Sequence, residues 1–241
     1  MKPLPIGATL KAALIAGVIA SLLTAAFHFV ITEPVIDQAI ALEEQLSGAD
    51  QTGVDHEAPI VSRETQRVGL VIGYLLYGLS WASLFGAVYY LAQGWLPGSE
   101  AWRRGLTLAL LGYWAVALLP FLKYPANPPG VGDPATIGYR QNLYLGLLAL
   151  AVMGAVLAVA IYHRFDKRWL PTLACLGVFS AIVYLAMPAN PDAVQMPGEI
   201  VGPFRVLSLA GLTLFWAALG IGFGWIARSQ AESAGLRAKP V

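Results

Sequence analysis

The chain reads as all-α: an integral membrane helical bundle of about six transmembrane helices, with both termini on the cytoplasmic side. Three observations predict this. Of its 241 residues 57% are apolar and 12% charged, with a mean hydropathy of +0.64, more apolar surface than one water-soluble core of this size can hide. Six apolar runs reach the ~20 residues that a helix needs to cross the hydrocarbon core; they fall at about 10 to 31, 68 to 93, 104 to 122, 142 to 162, 169 to 187 and 206 to 227. The basic residues then orient the bundle. With the N-terminus inside, ten Lys and Arg are cytoplasmic and five (Arg63, Arg67, Lys123, Arg140 and Arg205) are outside, and the opposite orientation would reverse that bias.

Lys2 and Lys11 precede or open the first run as they would in a signal peptide, but its apolar part is long and no small-residue cleavage pattern closes it, so it is expected to stay as a helix. Residues 32–67 follow as an acidic outer loop, and the stretch from His28 to Arg67 holds eight of the chain's fourteen carboxylates. Pro34 suits the first position of a new helix. A short amphipathic helix over about 34 to 46 should place Ile36, Ile40 and Leu46 near one face and Asp37 and Glu44 on another. The remaining connections are short, which predicts antiparallel neighbours in a single membrane domain, 1–241. Gly69 with Gly73 and Gly220 with Gly224 have the spacing of close helix contacts. Trp81, Trp95, Trp102, Trp169 and Trp225 lie near the expected membrane ends or one to a few turns inside, which suits interfacial anchoring. The one cysteine, Cys175, excludes an intramolecular disulfide and reads as a small buried apolar residue.

Two hairpins, 104–162 and 169–227, resemble each other. Pro125-Ala126-Asn127-Pro128 recurs as Pro188-Ala189-Asn190-Pro191, each copy closes at an arginine (Arg140, Arg205), and a glycine follows six residues later (Gly146, Gly211). This is a parallel duplication of the kind common among transporters. The first hairpin shares only Arg67 and Gly73 at that spacing. Proline-dense loops cannot be regular helix. They are either stiff exposed turns or short re-entrant segments whose Asn127, Asn190 and freed carbonyls face a permeation path, since irregular backbone survives at membrane depth only where it is buried or lines a wet cavity.

The chain has no Walker phosphate loop, CxxC, HExxH or nucleophile elbow. Enzymatic chemistry is therefore not expected, and neither is a permanently bound cofactor or a nucleic-acid partner. Imidazole, carboxylate and amide groups do gather towards the outer face, where they would suit a borderline divalent cation. The candidate ligands are His28, Glu33, Asp37, Glu44, His56, Asn127, Asp133 and Asn190. An intramembrane ionisable group such as His28 marks function by default. It would converge with Glu33 and Asp37 if Pro34 turned the chain back; the alternative is a neutral imidazole bonded to a neighbouring helix. His56, between Asp55 and Glu57, is either an ion-capture site or a solvated loop residue. His163, beside Arg164, reads as interfacial.

Glu33-Pro34, the stretch from Ala39-Ile40 to Glu43-Glu44, Val61-Ser62-Arg63 with Gln66 and Gly69, Lys123-Tyr124-Pro125-Ala126-Asn127-Pro128-Pro129 through Gly132-Asp133-Pro134 to Thr136 and Arg140, and Phe204-Arg205 with Ser208-Leu209 and Trp216 resemble the CbtA family of predicted cobalt transporter components. The resemblance implies a bacterial inner-membrane protein that imports cobalt for cobalamin synthesis with a small single-span, histidine-bearing partner. Many relatives carry a histidine-rich tract in the first outer loop, where this chain has Ser47-Gly48-Ala49-Asp50-Gln51 and a lone His56. The expected function is thus one component of a divalent metal uptake system in the lipid bilayer. The alternative is a non-transporting membrane scaffold or assembly subunit whose outer loops bind another protein.

Overall fold

The computed structural model describes residues 3–49, 62–129, 131–194 and 196–233, with the backbone alone for 43–49 and 233. Helix α1 (Ile6–Phe27) continues through a π-helical turn, His28–Thr32, into α2 (Glu33–Ala49). Helix α3 covers Arg63–Ala92. Helix α4 (Ala101–Tyr113) passes through a second π-helical turn, Trp114–Leu118, into the short α5 (Leu119–Lys123). A 3-10 turn, Pro134–Thr136, leads into α6 (Ile137–Arg164), and α7 (Trp169–Ala186) and α8 (Gly198–Ser233) complete the chain. Six continuous helical stretches among the described residues are long and apolar enough to cross a membrane: Ile6–Leu42, Arg63–Ala92, Ala101–Lys123, Pro134–Arg164, Trp169–Ala186 and Gly198–Glu232. The six runs read from the sequence coincide with them.

Pro34 does not turn the chain back. The Glu33 N–H bonds to the His28 carbonyl and the Leu119 N–H to the Trp114 carbonyl, both five residues back, and in each case the next residue is a proline, Pro34 or Pro120. A proline inside an α-helix clashes with the carbonyl four residues earlier and leaves it without a donor. The wider π turn shifts those carbonyls, so the helix passes the proline instead of ending there. Two helix starts also lie earlier than expected. The Ser62 hydroxyl accepts from the Thr65 N–H, so α3 opens at Arg63 and makes Arg63 and Arg67 helical residues one turn apart. Helix α8 opens at Gly198 and carries Pro203 within it.

Helix α1 packs along both α3 and α8, α8 packs on α4, and α7 packs on α6. The α1–α3 seam is made of small residues every fourth position: Ala13, Gly17 and Ser21 face Gly78, Ala82 and Gly86, and a methyl added to Gly17 would lie 2.4 Å from the Ala82 Cβ. Lipid removes the hydrophobic drive between helices, so such close approach supplies the attraction through van der Waals contact. Gly220 behaves likewise against Ala109. Gly69 and Gly73 do not, because a methyl at either would meet open space. The Trp81 ring packs on Trp216 and Tyr77. Cys175 is exposed rather than buried, since α7 touches the bundle along α6 and turns most of its surface outward.

Candidate functional site

Where α1 passes into α2, three helices frame an open-sided cavity of about 490 Å³ lined by Thr24, His28, Gly73, Tyr77, Ser208 and Phe215 among others, with Ala126 of the first proline loop. The π turn puts His28 on its wall. The His28 Nδ1 lies 2.8 Å from the Thr32 hydroxyl, and the ring stacks on Tyr74 of α3 at 5.2 Å between centroids and 11° between planes. Only 8% of the residue is exposed. Its Nε2 edge lies on the α8 backbone at Gly211, where an added methyl would approach to 2.0 Å. When Nδ1–H donates to Thr32, Nε2 keeps a lone pair, the arrangement in which histidines hold metal ions; when Thr32 donates instead, Nε2 carries the proton.

One turn past His28, α2 presents Glu33 and Asp37 to α3. Arg63 reaches Glu33 at 2.7 Å and Asp37 at 2.8 Å; Arg67 reaches Asp37 at 2.9 Å and Glu33 at 3.3 Å. Two carboxylates four residues apart therefore meet two guanidiniums four residues apart, with no net charge. The Glu33 side chain is 6% exposed, a burial that a carboxylate tolerates only when it is paired. These two residues do not converge on His28, and among the described residues no three of His, Cys, Asp and Glu come together as a metal group.

The loop candidates bond within the protein. Asn127 Oδ1 accepts from Arg205 Nη2 at 2.8 Å, beside an Arg205 Nε bond to the Ala126 carbonyl. Asn190 Oδ1 accepts from the Asp192 N–H, and Asp133 Oδ1 accepts from the Ala135 N–H and caps the 3-10 turn. Asp192 accepts from the Thr136 hydroxyl at 2.7 Å and the Asp133 N–H at 3.0 Å, and pairs with Arg140 at 3.0 Å. Those contacts, the Thr136 hydroxyl first, hold the Asp192 carboxyl below the usual range. The arginine that closes each proline loop thus grips the other loop: Arg205 the first, Arg140 the second. Gly132 fits there because its φ of +118° is left-handed and a side chain would strike the Arg140 guanidinium. His163 bonds to the Trp95 carbonyl at the opposite end of the bundle. His56 and the Glu44 side chain lie outside the described residues.

A family model described as "Probable cobalt transporter subunit (CbtA)" matches residues 6–228. The chain belongs to the CbtA family. No curated protein and no solved structure matches it. The CbtA match runs from the start of α1 into the last turns of α8, so it takes in His28, the four-residue ion-pair group and both proline loops. With its six membrane-length helices, this CbtA chain is a multi-pass membrane protein and a transporter component. Sequence reasoning missed Arg63 and Arg67 as partners of Glu33 and Asp37. The signal was present, as equal four-residue spacings on two neighbouring helices.

Proposed function

We propose that this chain carries a divalent cation, cobalt being the ion that its family's description names, inward across a bacterial inner membrane, with both termini cytoplasmic and a small histidine-bearing protein as its partner. The observation that supports this best is the placement of His28 on the wall of a cavity directly below an ion-pair group that has equal numbers of positive and negative charges. A cation arriving at the outer face meets Glu33 and Asp37 already paired. It enters by taking those carboxylates over from Arg63 and Arg67, so the group acts as a gate that cations, unlike neutral solutes, can open. Below it the His28 imidazole, the Ser208 hydroxyl and the rings of Tyr74, Tyr77 and Phe215 stand in for lost water, the rings by cation–π attraction.

No ATP is needed for the driving force. An inside-negative potential gives ~2.3 kcal/mol per charge per 100 mV, so a divalent ion gains about 4.6 kcal/mol, on the order of a thousandfold accumulation. Radiocobalt uptake into proteoliposomes with an imposed potential, measured with and without the partner protein, tests the reading. Uptake should exceed that of empty vesicles and fall at least tenfold in His28→Ala. Equal uptake by wild type, His28→Ala and empty vesicles would rule it out.

A further inference from the structure

At the end of the bundle away from His28 lies another cleft. It has a volume of about 410 Å³ and an almost entirely apolar wall. Helix α3 forms one side with Leu84 and Val88, α6 forms the other with Val152 and Val156, and α4 with Trp216 of α8 closes the back. From Trp81 to Ala92 it follows twelve residues of α3, eleven steps or about 17 Å of helix at ~1.5 Å per residue. That is close to the ~15 Å depth of one leaflet's hydrocarbon. At its mouth, His163 Nε2 lies 2.7 Å from the carbonyl of Trp95, itself a wall residue that is 60% exposed.

The mouth is basic. Arg103, Arg104, Arg164, Lys167 and Arg168 lie in or beside the two short connections at this end, against Glu100 and Asp166. Arg104 is fixed by its bond to the Gly98 carbonyl and Arg103 by the Trp102 ring, while Arg164 and Lys167 are exposed. An apolar slot one leaflet deep, with basic connections at the same end of the bundle, has the two chemistries of one molecule. We propose that it holds an acyl chain of an anionic phospholipid whose phosphate sits among Arg103, Arg104 and Arg164. The chain restores the dispersion contacts that an unfilled slot forfeits, and the guanidiniums choose the headgroup. Nothing in this depends on which ion the protein carries.

Native mass spectrometry of the full chain, released from detergent with equal phosphatidylglycerol and phosphatidylcholine, tests the site. Wild type should retain one phosphatidylglycerol at least fivefold over phosphatidylcholine. Changing Arg103, Arg104 and Arg164 together to Gln should bring the two lipids to parity, and Val156→Trp, at a wall position that is 58% exposed, should lose the retained lipid. Parity in wild type, a preference that survives the triple Gln variant, or undiminished retention in Val156→Trp would each overturn the proposal.

Discussion

The Nε2 edge of His28 lies against Gly211, closely enough that a methyl group on the glycine would come within 2.0 Å of it. The imidazole has little room to yield, because Tyr74 stacks on its face and Thr32 is bonded to Nδ1. Gly211→Ala should therefore lower stability by about 1–3 kcal/mol, the usual range for overpacking, and reduce metal uptake. Gly73→Ala is the matched comparison, since its methyl enters open space on the same cavity; it should be neutral or stabilising by ~0.5–1 kcal/mol through helix propensity. Thermal melts of both variants in one detergent decide this, and equal shifts would show that the His28–Gly211 contact is loose.

The group of Glu33, Asp37, Arg63 and Arg67 should behave as one unit. Glu33→Gln leaves Arg63 and Arg67 with Asp37 as their shared carboxylate among the described residues, Arg63 keeping its bond to Gln66. Both arginines are partly exposed, 30% and 41%, so water screens part of the loss and about 1–3 kcal/mol is expected, below the range for a fully buried pair. In a double-mutant cycle, Glu33→Gln with Arg63→Gln should give a coupling of about 0.5–3 kcal/mol. The single Arg63→Gln variant should also admit cations faster, its gate being half released. Additive stabilities with unchanged uptake would contradict the gate.

What the sequence made legible divides along physical lines. The six membrane helices follow from run length and apolarity, both local properties, and α7 lies where these place it, while α3 and α6 begin about one turn earlier. Pro34 defeats a local reading because a proline's own preference is to start or stop a helix, whereas a π turn absorbs it at a cost that only packing can repay. His28 stands out by its rarity at membrane depth, but its neighbours Tyr74 and Gly211 come from helices 46 and 183 residues further along the chain. No periodicity specifies such pairings. Glu33 reads as a free carboxylate as long as Arg63 belongs to a loop; one N-cap at Ser62 turns that stretch into helix and delivers the counter-charge.

Acid should release the clasp between the proline loops. The Asp192 carboxyl is held below its ordinary value of 3.8 by the Thr136 hydroxyl, the Asp133 N–H and the Arg140 charge. A carboxyl whose folded-state pKa is depressed adds stability that is fully present above the unfolded value and disappears as pH falls through the folded one. Loop protection should thus be constant above about pH 5 and decline below 3.8. Asp192→Asn should already lack it at neutral pH and show little further change on acidification. Hydrogen exchange of the amides in 131–136 and 191–194 across this range is the measurement. Greater protection at low pH in wild type would reverse the sign and refute the clasp.

The α1–α3 seam sets where His28 stands, because α1 reaches its π turn only after docking through Ala13, Gly17 and Ser21. Gly17 offers the sharpest test. Its added methyl would meet the Ala82 Cβ at 2.4 Å and the Gly78 carbonyl at 2.9 Å, atoms that no side-chain rotation can move away. Gly17→Ala should cost about 1–3 kcal/mol despite the better helix propensity of alanine. Gly7→Ala, on the same helix but facing open space, should gain a few tenths to about 1 kcal/mol. Because the strain separates α1 from α3, Gly17→Ala should also pull the His28 ring off Tyr74, and chemical modification of His28 should accelerate relative to Gly7→Ala. If the two variants melt alike and His28 reacts at the same rate in both, the helices are held by something other than this seam.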